Sequence, residues 1–142
     1  MATTSASEHL QIMREQDLAH IKVRGPFDLA VAHTVHGMLA DIMAEKGRCY
    51  LLADLTRMDG IPTDARKHVG EWHKQHSVSG VGVYGASFAM RSLATLMFRA
   101  IRLVTGKPTE MAFVRDEAEA RRWIEALRAA QTAARGGRHV HQ

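Results

Sequence analysis

The hydrophobic period changes repeatedly along the chain, and this restricts the possible fold more than any other feature. Apolar residues first recur at every second position, at Leu10 and Ile12 and again at Ala19, Ile21 and Val23, with Glu15-Gln16-Asp17 between the runs. A period of two with a short polar break predicts a hairpin with one face in water. Gly25-Pro26 ends it. The period then lengthens: Leu29, Ala32, Val35, Leu39, Ile42 and Met43 line one stripe of a helix that Asp28 caps and Gly47 stops. Cys49–Leu55 is apolar on both faces until Asp54, the pattern of a central strand covered from both sides. A loop from Thr56 to Pro62 leads to a second helix over 63–75, with Ala65, Val69 and Trp72 inward. Val78–Tyr84 reads as a strand, 88–104 as a third helix ended by Gly106-Lys107-Pro108, and Met111–Val114 as the last strand. Asp116 starts a fourth helix, in an acidic variant of the capping box with Glu119, and Ala120, Trp123, Ile124 and Leu127 form its inner stripe.

The resulting order is β-β-α-β-α-β-α-β-α. Strands separated by helices pair in parallel through right-handed crossovers. The expected fold is therefore α/β: a five-stranded, mostly parallel sheet with one antiparallel edge strand and four helices. A chain of 142 residues is of single-domain size and buries roughly 70% of its unfolded surface. The domain is expected over 8–131. Residues 1–7 are expected to be disordered, and 132–142, with Gly136-Gly137 among arginines and histidines, a flexible basic tail. One cysteine, Cys49, excludes a disulfide scaffold and suits a reducing compartment. No basic-then-apolar leader and no run of eighteen apolar residues is present, so a cytoplasmic protein is expected.

Charge is unevenly placed. The net charge is +4, yet 72–109 holds five bases (Lys74, Arg91, Arg99, Arg102 and Lys107) and no acid. A single-sign field of that kind suits an anionic partner, or is a solvated stripe. The third helix runs through this segment. On a helical wheel its apolar residues span about 220°, whereas a helix resting on a sheet needs a stripe only a little over about 100° wide. Neighbouring helices, a second subunit or an apolar ligand must cover the surplus.

Reactive motifs do not assemble. Among the nine histidines, His33/His36 and His73/His76 share helix faces, and His139 and His141 sit in the tail. No His-Glu-x-x-His run exists, so the histidines read as surface residues rather than a metal site. Gly80-x-Gly82-x-x-Gly85 matches dinucleotide spacing, but most of it falls inside a strand and no acid follows until Glu110. Small residues that admit a closely packed helix explain it better. Gly106-Lys107 lacks the upstream glycine of a phosphate loop, and Ser87 in Gly85-Ala-Ser-Phe-Ala89 misses the nucleophile-elbow pattern and reads as a helix cap.

Three stretches together carry a family resemblance: Tyr50-Leu-Leu-Ala-Asp-Leu-Thr56 leading into a helix, Val81-Gly-Val-Tyr-Gly-Ala-Ser87 running into an arginine-bearing helix, and Phe113-Val-Arg-Asp-Glu-Ala-Glu-Ala-Arg-Arg-Trp123 closing the domain. With the opening hairpin, residues 8–130 resemble the STAS domains and their SpoIIAA-like relatives, a fold shared in outline with the lipid-binding Sec14 domain. The resemblance implies a non-catalytic regulatory domain like the anti-sigma factor antagonists, which bind a kinase-type anti-sigma factor. Phosphorylation of a serine in an Asp-Ser-Ser-Gly motif, at the start of the helix after the Asp-Leu-Ser strand, switches that class off. Here the motif falls on Pro62-Thr63-Asp64-Ala65, and Thr63 alone keeps a hydroxyl. Phosphate there would add about two negative charges at a helix N-terminus; otherwise Thr63 is an N-cap.

The expected partner is a protein or a second copy of the chain; the alternative is a lipid-like or other apolar or anionic ligand. The switch or partner loop comprises Met58, Asp59, Thr63, Asp64 and Arg66. Met90, Leu93, Met97, Phe98 and Ile101 form the apolar interface or ligand surface, and Arg91, Arg99 and Arg102 the anion contacts. No catalytic residue, metal, cofactor or nucleic acid is expected.

Overall fold

Alternating apolar residues need a second strand beside them to satisfy their backbone groups, and the hairpin provides it at one end of the sheet. The structure, a computed structural model, describes residues 3–7 and 9–140, with side chains for 9–136. Its elements are β1 (Thr3–Ser7), β2 (Leu10–Glu15), β3 (Leu18–Pro26), α1 (Leu29–Lys46), β4 (Tyr50–Gly60), α2 (Thr63–Gln75), β5 (Gly80–Tyr84), α3 (Phe88–Thr105), β6 (Met111–Val114) and α4 (Glu117–Val140). The strands lie in chain order in one sheet. β1–β2 and β2–β3 are antiparallel, and β3 through β6 are parallel.

The five expected strands are β2 to β6, with β2 the antiparallel one. Three details differ. Residues 3–7, expected to be loose, form β1 and cover the outer edge of β2, because an open strand edge offers unpaired backbone groups. The expected loop after Thr56 is instead a continuation of β4, paired through Arg24↔Arg57 and Gly25↔Met58 after a register shift. Helix α4 continues to Val140 rather than giving way to a loose tail near 132, since alanines and arginines over 128–135 favour helix strongly enough to carry it into Gly136-Gly137. The parts of those expectations that concern residues 1, 2, 141 and 142 lie outside the described residues.

The helices divide unequally. α1, α2 and α3 cover one face, where Leu10, Ile12, Ile21, Val35, Leu39 and Val83 belong to the larger core. α4 alone covers the other, against Leu18, Tyr50, Leu52 and Tyr84. The glycine run is its seat: a Cβ on Gly80 would stand 2.5 Å from Leu127 and one on Gly82 3.3 Å from Ile124. Caps form where the sequence places them. The Val31 N–H donates to Asp28 Oδ1 at 2.9 Å and the Met90 N–H to Ser87 Oγ at 3.2 Å.

Candidate functional site

The wide apolar surface of α3 stays open. Its inward side is narrow: Ala94 and Ile101 are buried, and Met90, Leu93, Met97 and Phe98 are half-buried. Phe88 is 77% exposed, Leu96 62%, Leu103 87% and Val104 67%. Openings flank the helix on both sides. Toward α2 lies a groove of about 200 Å³ whose lining includes Arg66, Lys74, Met97, Ala100 and Val104. Toward β6 lies one of about 210 Å³ that includes Phe98, Arg99, Arg102 and Phe113. The Arg91 guanidinium sits 6.0 Å from the centre of the Phe88 ring. The result is an exposed apolar band with cations along both margins. Of the residues singled out from sequence, Arg91, Arg99 and Arg102 do border it, Met97 and Phe98 lie at its edges, and Ile101 is withdrawn into the core. Its crest, Phe88, Leu96, Leu103 and Val104, was not among those residues. The wheel contains these four but does not say which arc meets the sheet.

The other predicted group is divided by the structure. Met58 is buried among the core residues under α1 to α3 and is unavailable to a partner. Asp59, Thr63, Asp64 and Arg66 are exposed. Thr63 does not cap α2: Pro62 occupies the cap position without a side-chain bond, and Thr63 is the first helical residue. Its hydroxyl oxygen instead accepts a hydrogen bond from Arg66 at 3.1 Å, while Asp64 Oδ1 accepts from the Ala65 N–H at 2.8 Å. Proline's fixed φ starts the helix here.

Of the histidines expected at the surface, His33 is exposed, the side chains of His139 and His141 lie outside the described residues, and several others are withdrawn from water. His36 is buried and its ring stacks on Trp72, with centroids 4.4 Å apart and planes 5° from parallel. Trp72 stacks in turn on His76 at 4.3 Å. His68 lies against both His33 and His36, and His73 meets Phe98 of α3 edge-on at 5.1 Å. Burial, then the neighbouring histidines, pushes His36 down to about 3; burial and His76 push His73 to about 4. The stack is built by two helices with the whole of β4 between them in the chain, so no local spacing announces it. Among the described residues no group of three or more His, Cys, Asp or Glu is placed to hold a metal.

Beneath α4 lies a second polar assembly. His20 Nε2 is 2.8 Å from the Tyr84 hydroxyl, and Arg121 binds Glu15 through both terminal nitrogens at 2.8 and 2.9 Å and Glu117 through Nε at 2.8 Å. Burial pushes the His20 imidazole below its ordinary value and the Tyr84 phenol above its own, so both are held neutral. Buried Asp17 accepts from Arg48 at 2.7 Å and from Arg128 at 2.7 Å. These groups satisfy one another and tie α4 to β2 and β3. Neither groove beside α3 reaches them, so the network acts as a structural tie.

No family model matches the chain, and no curated protein does. Solved structures do. A protein of the DUF3478 family with a SpoIIAA-like fold from Shewanella loihica PV-4 matches at 21% identity, over 84% of this chain and 98% of that one, with a TM-score of 0.58. The anti-sigma factor antagonist SpoIIAA in its unphosphorylated form matches at 14% identity over 82% and 97%, with a TM-score of 0.56. An anti-sigma factor antagonist from Mycobacterium paratuberculosis matches at 15% over 89% and 99%, with a TM-score of 0.52. The chain has the SpoIIAA-like α/β fold shared with STAS domains. No helix among the described residues is long and apolar enough to cross a membrane.

Proposed function

We propose that this chain is a non-catalytic docking domain that lays the exposed flank of α3 on an anionic lipid surface. One observation carries the reading. Leu96, Leu103 and Val104 stand open, with Arg91, Arg99 and Arg102 around the exposed Phe88 ring on one margin and Arg66 and Lys74 on the other, and α3 itself has no carboxylate. An apolar stripe with basic margins is the pattern of a helix lying in a bilayer interface. Each large side chain removed from water contributes roughly 1.5–3 kcal/mol, and each base near an anionic leaflet about 1 kcal/mol. Long arginine and lysine side chains keep their charge at the headgroups while the apolar band sinks below them.

A second copy fits the band poorly. A two-fold contact through α3 would set three arginines against three arginines, with no carboxylate on either helix to offset them. Two solved structures of the same fold are anti-sigma factor antagonists, which supports a binding role without naming the partner. The test is flotation of the full chain with vesicles of phosphatidylcholine alone and of phosphatidylcholine mixed with phosphatidylglycerol. Binding to the mixed vesicles that weakens with added salt is expected. Failure to float with the mixed vesicles overturns the reading and returns the face to a protein partner or a second copy.

A further inference from the structure

Five histidines and Trp72 meet where α1, α2 and α3 converge. His33 and His36 come from α1; His68, His73 and His76 come from α2 and its C-terminal cap. The ring stack runs His36, Trp72, His76, with His68 4.9 Å from His36 and His73 touching Phe98 of α3. Buried Nδ1 of His36 and Nε2 of His68 have no hydrogen-bond partner among the described residues. A small apolar cavity of about 90 Å³, roofed in part by His36, His73, Met97 and Phe98, lies beside the stack.

What surrounds the rings decides how they respond to acid. The charges that act on His36 are those of His73, His68, His33 and His76; on His73, that of His76; on His68, that of His33. The carboxylates of the same helices, Asp41 and Glu45 on α1 and Asp64 and Glu71 on α2, are exposed, and Glu71 pairs with Lys74. The charged residues of α3 are all arginines, Arg91, Arg99 and Arg102, and the sheet beneath presents Ile21, Ala53, Val81 and Val83. His73 and His76 also line a groove of about 360 Å³ whose charged residues are Lys74 and Lys107. A proton placed in this stack therefore meets other histidines, lysines and hydrocarbon, with no carboxylate among the groups that face it. Stacked neutral rings attract; charged rings in the same positions repel and demand water.

We propose that the stack is a proton-operated latch: with its rings neutral it seats α2 against α1 and α3, and with His36 and His73 charged it lets α2 swing away. The latch stands apart from the docking reading. Only its consequence, a wider groove beside α3 in acid, rests on that reading. The sign follows from linkage. Both rings take up a proton near 6.5 when α2 is released, but only at about 3 and 4 when it is seated. The seated form is thus fully favoured above 6.5 and loses ground as pH falls below it. Between pH 7.5 and 5 each ring raises the released-to-seated ratio by roughly 30-fold, and together by on the order of 10³-fold.

The test uses the full chain without lipid, so its outcome is separate from vesicle binding. Trp123→Phe leaves Trp72 as the only tryptophan, and Trp72→Phe leaves Trp123, on α4 at the other face of the sheet, as a control. Acrylamide quenching of Trp72 is expected to rise with acid, steepening toward two protons per molecule, while that of Trp123 stays flat over the same range. His36→Phe with His73→Phe keeps rings in the stack and should abolish the rise. Quenching of Trp72 that is flat down to pH 4, or that rises together with Trp123, overturns the latch. In wild-type protein, proton NMR of the histidine rings follows the same transition without substitutions: titration of His36 or His73 near 6.5 with α2 still seated refutes it.

Discussion

Removing the crest of α3 separates what this helix does for folding from what it would do in the proposed docking. Leu96 and Leu103 are 62% and 87% exposed, so Leu96→Ser with Leu103→Ser takes little from the folded core. A change within about 0.5 kcal/mol per site is expected, most of it helix propensity. In docking the same atoms would leave water. Full burial of a leucine contributes roughly 1.5–3 kcal/mol, so the fractions still exposed leave about 2 kcal/mol for Leu103 and somewhat less for Leu96. The pair should weaken vesicle affinity on the order of 10²-fold. Ile101→Ala on the same helix is the counterpart. Its side chain is 8% exposed, so truncation should cost about 2–4 kcal/mol of folding stability and leave the affinity of the folded fraction nearly unchanged. Urea unfolding and vesicle titration read the two quantities independently. If the double serine variant binds within threefold of wild type, or unfolds as easily as Ile101→Ala, the band is not a docking surface.

Two further outcomes check the frame that holds the band. Gly85 has φ +76°, and a Cβ there would strike the Thr56 side chain and come within 3.2 Å of its Cα. Gly47 has φ +75° with open space around it. Gly47→Ala should cost about 1–2 kcal/mol for the left-handed backbone, and Gly85→Ala about 1–3 kcal/mol more for the collision, both read as urea midpoints; equal costs would refute the packing account. Burial opposes the charge of Asp17, yet hydrogen bonds from Arg128 and Arg48 hold its carboxyl below the ordinary 3.8. A depressed acid stabilises above its unfolded value and loses that contribution as pH falls below it. Asp17→Asn should therefore cost about 2 kcal/mol at pH 7, discounted for its partly exposed arginine partners, and flatten the stability curve below about pH 4. An unchanged acid limb in that variant would assign acid sensitivity to other groups.

The elements that were legible in the sequence are those whose signals are local. Asp28 and Ser87 cap because a hydroxyl or carboxylate needs only the N–H three residues ahead. The glycines of β5 signalled close packing, although the helix that settles on them is α4. What escaped was set by distant chain. β1 forms because β2 has an edge to cover, and nothing in residues 3–7 reports that edge. Met58 looked like a loop residue until β4 continued alongside Arg24–Pro26 and buried it. The histidine stack needs α1 and α2 side by side before its members are neighbours.

The open band follows from the way α3 faces. Ala94 and Ile101 turn inward and are buried, and Leu96 and Leu103, two residues beyond each and so about 200° round the helix, turn outward. Phe88 and Val104, near the two ends, are open as well. On the opposite face α4 is the longer helix, yet it carries Arg121 and Arg128, which reach back to Glu15 and Asp17. The two helices thus meet water by different chemistry. α4 commits its outer side to ion pairs within the chain, whereas α3 carries leucines, phenylalanine and charge of one sign, a composition that would gain free energy from an apolar, anionic surface laid against it.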